Sequence, residues 1–435
     1  MRRIFHSIIL TIGLAFTALT HANANDVTAF VGVHVAPMDE ERILRDQTVI
    51  VEDDRIVSMG PRQATLPPEG AKIIDGAGRY LMPGLAEMHG HLPGGGADAE
   101  DILFLYVARG VTLVRGMLGN EGQFALRAQI MAGDIVGPTL YLAAPSINGN
   151  NTTTAAAARD KVRAYKNAGW DLLKVHEGLS VETYDALAEE AAAVDIAFAG
   201  HVPDAVGLAR ALESRQRTID HLDNYLTFMG AEDTPVTDAM LDRAVEETLA
   251  ANAGVAPTMA LWEHFVGQPD DILEFEELRY ISPETRSNWA GRIANARAEA
   301  AANPRAAALM VSNRRKLLKA LSDGGVEILL GSDAPQFYSI PGFSVHREMQ
   351  VMAEAGMSPY AILYSGTAAA GGYFAEHDVA GVITPGGRAD LVLVSENPLD
   401  DIANAAAIDG VMLRGRWIEK TEIDARLDQI AVKHR

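Results

Sequence analysis

The sequence predicts an α/β protein: a (β/α)8 TIM-like barrel with a small β-sandwich domain built from both chain ends. Two observations predict the barrel. The middle of the chain alternates short apolar strand candidates with amphipathic helical stretches, the pattern of parallel strands joined by crossover helices. The 435 residues also suit a barrel of about 250 residues plus an accessory domain. A third observation, β-rich texture at both ends, predicts the sandwich.

Residues 1–24 read as a secretory signal. Arg2 and Arg3 precede an apolar run from Ile8 to Leu19, and Ala22-Asn23-Ala24 forms an A-x-A pattern that places cleavage after Ala24. The run is shorter than the roughly 20 residues a membrane span needs, which weighs against an uncleaved anchor. No later stretch is apolar enough to span. The expectation is an exported protein, periplasmic or secreted, with no membrane span after cleavage.

Thr48 to Val51 and Arg55 to Gly60 are β-type runs around the acidic turn Glu52-Asp53-Asp54, and Lys72 to Gly76 is another short strand with its turn. Similar runs return at Ala389 to Val394 and Gly410 to Gly415. Segments 25–82 and 378–420 are therefore expected to pair into one composite sandwich, with 421–435 as a C-terminal tail. Between them, 83–377 forms the barrel. Its strand candidates are Tyr80 to Leu85, Val111 to Val114, Thr139 to Ala143, Leu172 to Val175, Ile196 to Ala199, Thr218 to Ile219, Val255 to Ala256 and Val326 to Leu330. Val181 to Val194 and Ala205 to Leu212 are amphipathic crossovers. An open doubly wound sheet is the alternative, but no Gly-rich phosphate fingerprint follows the first strand. From about 261 to 322 there is more helix than one crossover needs. Arg292, Arg297, Arg305, Arg314, Arg315 and Lys316 stand there among alanines, as a solvated helical insertion, a lid or a contact in a homo-oligomer.

Composition narrows the function classes. A formal charge of −21 leaves no basic footprint for a phosphate backbone, so nucleic acid is not an expected partner. With no cysteine, any metal must be held by histidine and carboxylate. The strongest local signal is Pro83-Gly84-Leu85-Ala86-Glu87-Met88-His89-Gly90-His91 at the end of the first barrel strand. Histidines at i and i+2 on a strand share one side. Other strand ends supply Lys174 and His176, His201, His221 and Asp333. Active sites of this fold gather such residues at one face.

Together with Gly387-Arg388-Ala389-Asp390-Leu391-Val392 and the split β domain, these motifs resemble the amidohydrolase superfamily, in its imidazolonepropionase-like and prolidase-like branch. The resemblance implies a metal-dependent hydrolase holding two divalent ions, zinc by preference. His89 and His91 match the first-strand ligands, and His201 and His221 match ligands of the second metal. Lys174 matches the lysine that carbon dioxide converts to a bridging carbamate. Asp333 matches the aspartate that binds the first metal and handles the proton of the attacking water. The chemistry is coherent, since imidazoles and carboxylates suit zinc. A carbamate supplies the anionic oxygens an ammonium lacks, and two metals about 4 Å apart can share a bridging hydroxide and polarise a carbonyl. Lys174 could instead remain an ordinary lysine beside one metal.

Other residues carry weaker readings. Glu87 stands where the family more often has aspartate, which touches ligand support rather than ligation. His346 opens a helix and is expected to cap or pack. A small-molecule substrate would meet loops after the strands. The candidates are His176, Asn148, Asn150, Tyr225, Trp262, His264, Gln336, Phe337 and Tyr338, each as easily structural. The resemblance favours cleavage of an amide C–N bond in a dipeptide, N-acyl amino acid or cyclic amide. Lactones or phosphotriesters are the alternative substrates, and a non-catalytic periplasmic binding protein is the reading from another class.

Overall fold

A computed structural model describes residues 27–267 and 271–434; the signal pattern of 1–24 lies outside them. The chain opens with β1 (Val27–Val35), β2 (Leu44–Glu52) and β3 (Arg55–Pro61), an antiparallel meander. Asp53, at φ 52, makes the tight turn where Glu52 pairs with Arg55, a left-handed conformation that aspartate tolerates. β4 (Lys72–Asp75) and β5 (Tyr80–Pro83) both join β1 in parallel.

The barrel follows. Its first seven strands are β6 (Leu85–Gly90), β7 (Val111–Gly116), β8 (Thr139–Leu142), β9 (Leu173–Val175), β10 (Phe198–Gly200), β11 (Thr218–Asp220) and β12 (Gly254–Ala256). β6 to β8 form one parallel run and β9 to β12 another. Parallel bridges Ala143 to Leu172 and Ile147 to Val175 join the two runs. The eighth position is the segment around Ile328, which bridges Val255. It returns to the first strand through Met88 N–H to Leu330 O and Asp333 N–H to His89 O, both 2.8 Å. The ring is closed, so its strand ends converge on one face.

Helices α1 (Ala99–Ala108), α2 (Gly122–Ala132), α3 (Ala155–Ala168), α4 (Val181–Ala193), α5 (Gly207–Glu213), α6 (Tyr225–Met229) and α7 (Asp238–Ala251) connect the first seven strands. Their ends follow local chemistry. Thr154 and Ser180 cap α3 and α4 through side-chain oxygens, and Gly169 ends α3 at φ 85, each cap contributing roughly 0.5–2 kcal/mol.

After β12 come α8 (Met259–Phe265), two short 3-10 turns, α9 (Pro283–Ala302) and α10 (Pro304–Asp323). The helical insertion expected over 261–322 is thus shorter. α10 leads directly into the eighth strand and packs on α7, so it is the regular crossover, and the extra material is α8 to α9. Helices α11 (Phe343–Glu354), α12 (Pro359–Ser365) and α13 (Ala368–Tyr373) complete the barrel wall.

β13 (Leu391–Val394), β14 (Ile408–Leu413) and β15 (Arg416–Glu419) then extend the first sheet, in the order β15-β14-β13-β5-β1-β2-β3. The two chain ends meet where β13 pairs antiparallel with β5, and their core of Phe30, Val49, Leu81, Leu391 and Met412 is separate from the barrel's.

Two expectations change here. Tyr80 to Leu85 is not the first barrel strand: Tyr80–Pro83 belongs to the mixed sheet, and the barrel starts at Leu85. Gly84 is the crossing point. A Cβ there would stand 2.2 Å from Thr112 Oγ1, and its N–H donates to Asp390 O. Asp390 also accepts from Arg388 Nε and Arg414 N–H, so the Arg388-Ala389-Asp390 motif ties the two sheets together. Where a C-terminal tail was expected over 421–435, the described residues form a helix, α14 (Lys420–Lys433), that packs on α1 and β14. No helix of the described residues is long and apolar enough to cross a membrane.

Candidate metal centre

The barrel mouth encloses a cavity of about 600 Å³, lined by His89, His91, Lys174, His176, His201, His221 and Asp333 among others. The imidazoles form a row. Ring centroids are 4.3 Å apart for His176 and His201, 4.4 Å for His201 and His221, 4.5 Å for His221 and His89, and 6.0 Å for His89 and His91. Ligand atoms of His89, His221 and Asp333 lie within 4.8 Å of one another, as do those of Glu177, His201 and Asp223. Lys174 Nζ stands 3.1 Å from His89 Nε2, and Asp333 Oδ1 lies 2.7 Å from His91 Nε2 and 3.6 Å from His89 Nε2.

Local backbone sets these side chains. Gly200, at φ 121, lets His201 pass Lys174; a Cβ there would meet Val175 O at 2.5 Å and Lys174 Cδ at 2.8 Å. His221 and Asp333 occupy left-handed backbone at φ 63 and 59, and Thr258 does so at φ 45. Such conformations cost energy and persist where the surroundings over-determine them.

The surroundings do so through a second ring of contacts. Buried Glu87 accepts from His89 N–H at 2.9 Å and Ser332 N–H at 2.8 Å, and also from the Ser332 hydroxyl. Asp220 Oδ2 lies 2.8 Å from His89 Nδ1, off the linear hydrogen-bond direction. His221 Nδ1 pairs with Thr258 Oγ1 and His201 Nδ1 with Asp223 Oδ2, each at 2.7 Å. Below them, fully buried Arg115 donates to Met88 O and Thr218 Oγ1 and pairs with Asp220 at 3.4 Å. With Nδ1 of His201 and His221 engaged, Nε2 is the nitrogen left for a ligand, the usual arrangement of metal-ligating histidine, while His89 Nε2 meets Lys174.

The electrostatics suit a cation. Burial, and then the neighbouring cationic groups, hold His89 and His221 well below the ordinary histidine value, so their nitrogens keep lone pairs. Burial pushes the Asp333 carboxyl up, but His89, His91 and Lys174 outweigh it and hold it at about 2. Burial also lowers the Lys174 amine. His221 Nε2 is buried without a hydrogen-bond partner, an arrangement that costs free energy unless something accepts the lone pair. A donor set of neutral imidazoles and one carboxylate, with an orphaned ring nitrogen, fits divalent metal.

The remaining candidates separate. His176, Asn148, Asn150, Trp262, Gln336 and Phe337 line the cavity. His176 Nδ1 accepts from Glu177 N–H at 2.8 Å, and burial lowers its pKa to about 4. Asn148 is largely spent on its own turn, accepting from Asn150 N–H at 3.0 Å.

Tyr225, His264 and Tyr338, expected at the substrate, do not line this cavity. Tyr225 begins α6, where its apolar ring is fully buried and its hydroxyl pairs with Thr248 at 2.7 Å. His264 turns behind the wall, with Nδ1 against Phe337 O at 3.0 Å. Tyr338 packs on Trp289, its hydroxyl reaching Arg286 O. His346 is buried with Nε2 at 2.9 Å from Arg109 O. Sequence reasoning missed Asp220, Asp223, Thr258, Glu177 and Arg115. The two aspartates flank His221 in sequence, and a carboxylate beside a strand-end histidine was the available signal.

Comparison with known proteins agrees with this fold. Among curated protein sequences none matches. In the solved structures, the chain is similar to a bottromycin amidohydrolase, with 23% identity, TM-score 0.74, and 94% of this chain and 91% of that one covered. It is also similar to a Xaa-Pro dipeptidase with methionine bound in its active site (19%, TM-score 0.69, 91% and 100% covered). A third is molinate hydrolase (20%, TM-score 0.69, 91% and 95%). The profile of the amidohydrolase family matches residues 80–418, a span that runs from β5 to β15 and takes in every residue of the cavity. The chain belongs to the amidohydrolase family.

Proposed function

We propose that the protein is a metal-dependent hydrolase that cleaves an amide C–N bond, in a dipeptide, an N-acyl amino acid or a cyclic amide. The observation that carries this reading is the convergence of His89, His91, Lys174, His201, His221 and Asp333, from five separate strand ends, on one cavity. Two divalent ions, zinc by preference on this nitrogen and oxygen donor set, would supply the Lewis acidity for activating water and polarising the scissile carbonyl. His89, His91 and Asp333 would hold one ion and His201 and His221 the other, with Lys174 as their shared ligand. The lowered amine of Lys174 supports its carboxylation, because only a neutral amine attacks carbon dioxide, forming a carbamate and releasing a proton.

Asp333, ionised across the neutral range, accepts a proton from the attacking water and delivers it to the leaving nitrogen, so that the nitrogen departs as an amine. Trp262, Phe265 and Phe337 give the mouth an apolar rim, which favours a substrate with an apolar part. The dipeptidase and the amidohydrolase among the similar structures direct attention to the same substrates. The basic start, apolar run and A-x-A pattern of 1–24 support export to the periplasm or beyond.

The test is a substrate panel on metal-loaded protein. Dipeptides and N-acyl amino acids are set against lactones and phosphotriesters, in wild type and Asp333→Asn. Amide turnover that Asp333→Asn loses is the expected result. Esters outrunning every amide would overturn the reading.

A further inference from the structure

A second cavity, of about 560 Å³, adjoins the first, and Trp262 and Phe265 line both. It lies between the β11–α6 turn and helices α9 and α10, and its walls are apolar: Leu222, Leu226, Met310 and alanines of the two helices. Most of its polar groups are already committed. Asp223 is held by His201 at 2.7 Å, Asn224 donates to Val202 O at 2.7 Å, and Thr227 donates to exposed Glu232 at 2.9 Å. Glu299 is exposed at the rim.

Arg314 is different. It is 6% exposed, yet no carboxylate oxygen among the described residues comes within 4.0 Å of its guanidinium. One nitrogen donates to His221 O at 2.6 Å. The guanidinium lies over the Trp262 ring at 4.9 Å, and the Nε N–H has no partner. Arg315, the next residue, shows the ordinary alternative: two hydrogen bonds of 2.8 Å to Glu263 and one of 2.7 Å to Glu354. Asp223, Glu348 and Glu263 act on Arg314 only through space, without a direct pair; a buried guanidinium with no carboxylate bonded to it is costly, and its planar fork matches one. Arg314 bonds the backbone of His221 and stacks on Trp262, which lines both cavities, so a carboxylate on the guanidinium would belong to a substrate that reaches from the metal cavity into the second one.

We propose that Arg314 receives the free carboxylate of the substrate, while the substrate's apolar side chain lies against Leu226, Met310 and the alanine wall. The preferred substrates are then N-acyl derivatives or dipeptides ending in an apolar amino acid. This inference rests on the amide-hydrolase reading.

The experiment compares N-benzoyl-leucine with N-benzoyl-leucinol, which keeps the amide and side chain but lacks the carboxylate, on metal-loaded enzyme. Wild type is expected to favour the acid in kcat/KM by about 10- to 100-fold, the size of charged hydrogen bonds. In Arg314→Met the preference drops to about threefold or less, and Arg314→Lys falls between. Should Arg314→Met not fold, Ala307→Trp fills the cavity from a partly exposed helix position. It should lower kcat/KM for the leucine derivative relative to the glycine derivative by about 10-fold.

Calorimetric binding of leucine against leucinol adds a readout free of turnover. Leucine binding that needs Arg314, in an enzyme that cleaves no amide, supports the subsite and overturns the reaction. Equal cleavage of acid and alcohol by wild type supports the reaction and overturns the subsite. A carboxylate preference that survives Arg314→Met, or that is lost in Arg292→Ala instead, also overturns it.

Discussion

The strand-end floor of the metal cavity and its helical wall hold their residues by different means. On the floor, Glu87, Asp223 and Thr258 each fix a ligand through a hydrogen bond of 2.7–2.9 Å, and Arg115 ties three strands together beneath them. Across the cavity, Trp262, Phe265, Phe337 and Arg292 meet through ring contacts at 4.7–5.8 Å and stay partly or fully exposed. Directional bonds in a dry barrel fix geometry to tenths of an ångström, as metal chemistry requires. Ring contacts tolerate displacement, as varied substrates require. Changes to the floor should therefore damage stability and chemistry together, and changes to the wall should alter substrate affinity alone.

The largest effect is expected from metal removal. Chelation should abolish turnover, and added divalent ion should restore it. The apoprotein should also melt lower, because an ion free at 100 times its Kd adds about 2.7 kcal/mol; calorimetry with and without chelator checks this. Asp333→Asn comes next, with kcat lower by about 10²–10⁴-fold while circular dichroism stays native. Glu87→Ala tests the floor itself. It leaves the N–H groups of His89 and Ser332 unpaired, which costs roughly 1–3 kcal/mol each in denaturant unfolding. Unchanged stability there would erase the contrast.

Trp262→Ala tests the wall. KM should rise about 10-fold, the scale of a lost apolar contact, with the melting temperature almost unmoved. The last effect appears only on the acid side and concerns His264, which burial holds at about 4 behind that wall. Its folded-state pKa lies below the unfolded value, so its neutral form stabilises the fold above about pH 6.5. That contribution is lost as pH falls towards 4, at up to about 1.4 kcal/mol per pH unit. His264→Asn should remove one proton's worth of this acid-side slope from the stability profile.

The same division governs what could be read from the sequence. The floor was legible because strand ends announce themselves. His89 and His91 follow an apolar strand at the i, i+2 spacing, and Lys174, His201, His221 and Asp333 close other β-type runs. The second ring was harder to see. Thr258 reaches His221 from the next strand end and Arg115 reaches Asp220 across the barrel, contacts that no local spacing encodes. The wall was least legible. Tyr225, His264 and Tyr338 follow the expected strands, but whether a side chain there faces the cavity or the core depends on single backbone turns such as Phe337 and Tyr338 at φ 46 and 69. The barrel start was misplaced by a few residues because Tyr80–Pro83 and Leu85–Gly90 read as one apolar strand, and only the contact of Gly84 with Thr112 divides them.

Anomalous diffraction from crystals of the metal-loaded protein addresses the central claim most directly. The account predicts two peaks inside the ring of His89, His91, Lys174, His201, His221 and Asp333. Full metal content with peaks elsewhere, or those six side chains turned away from the ions, would contradict it.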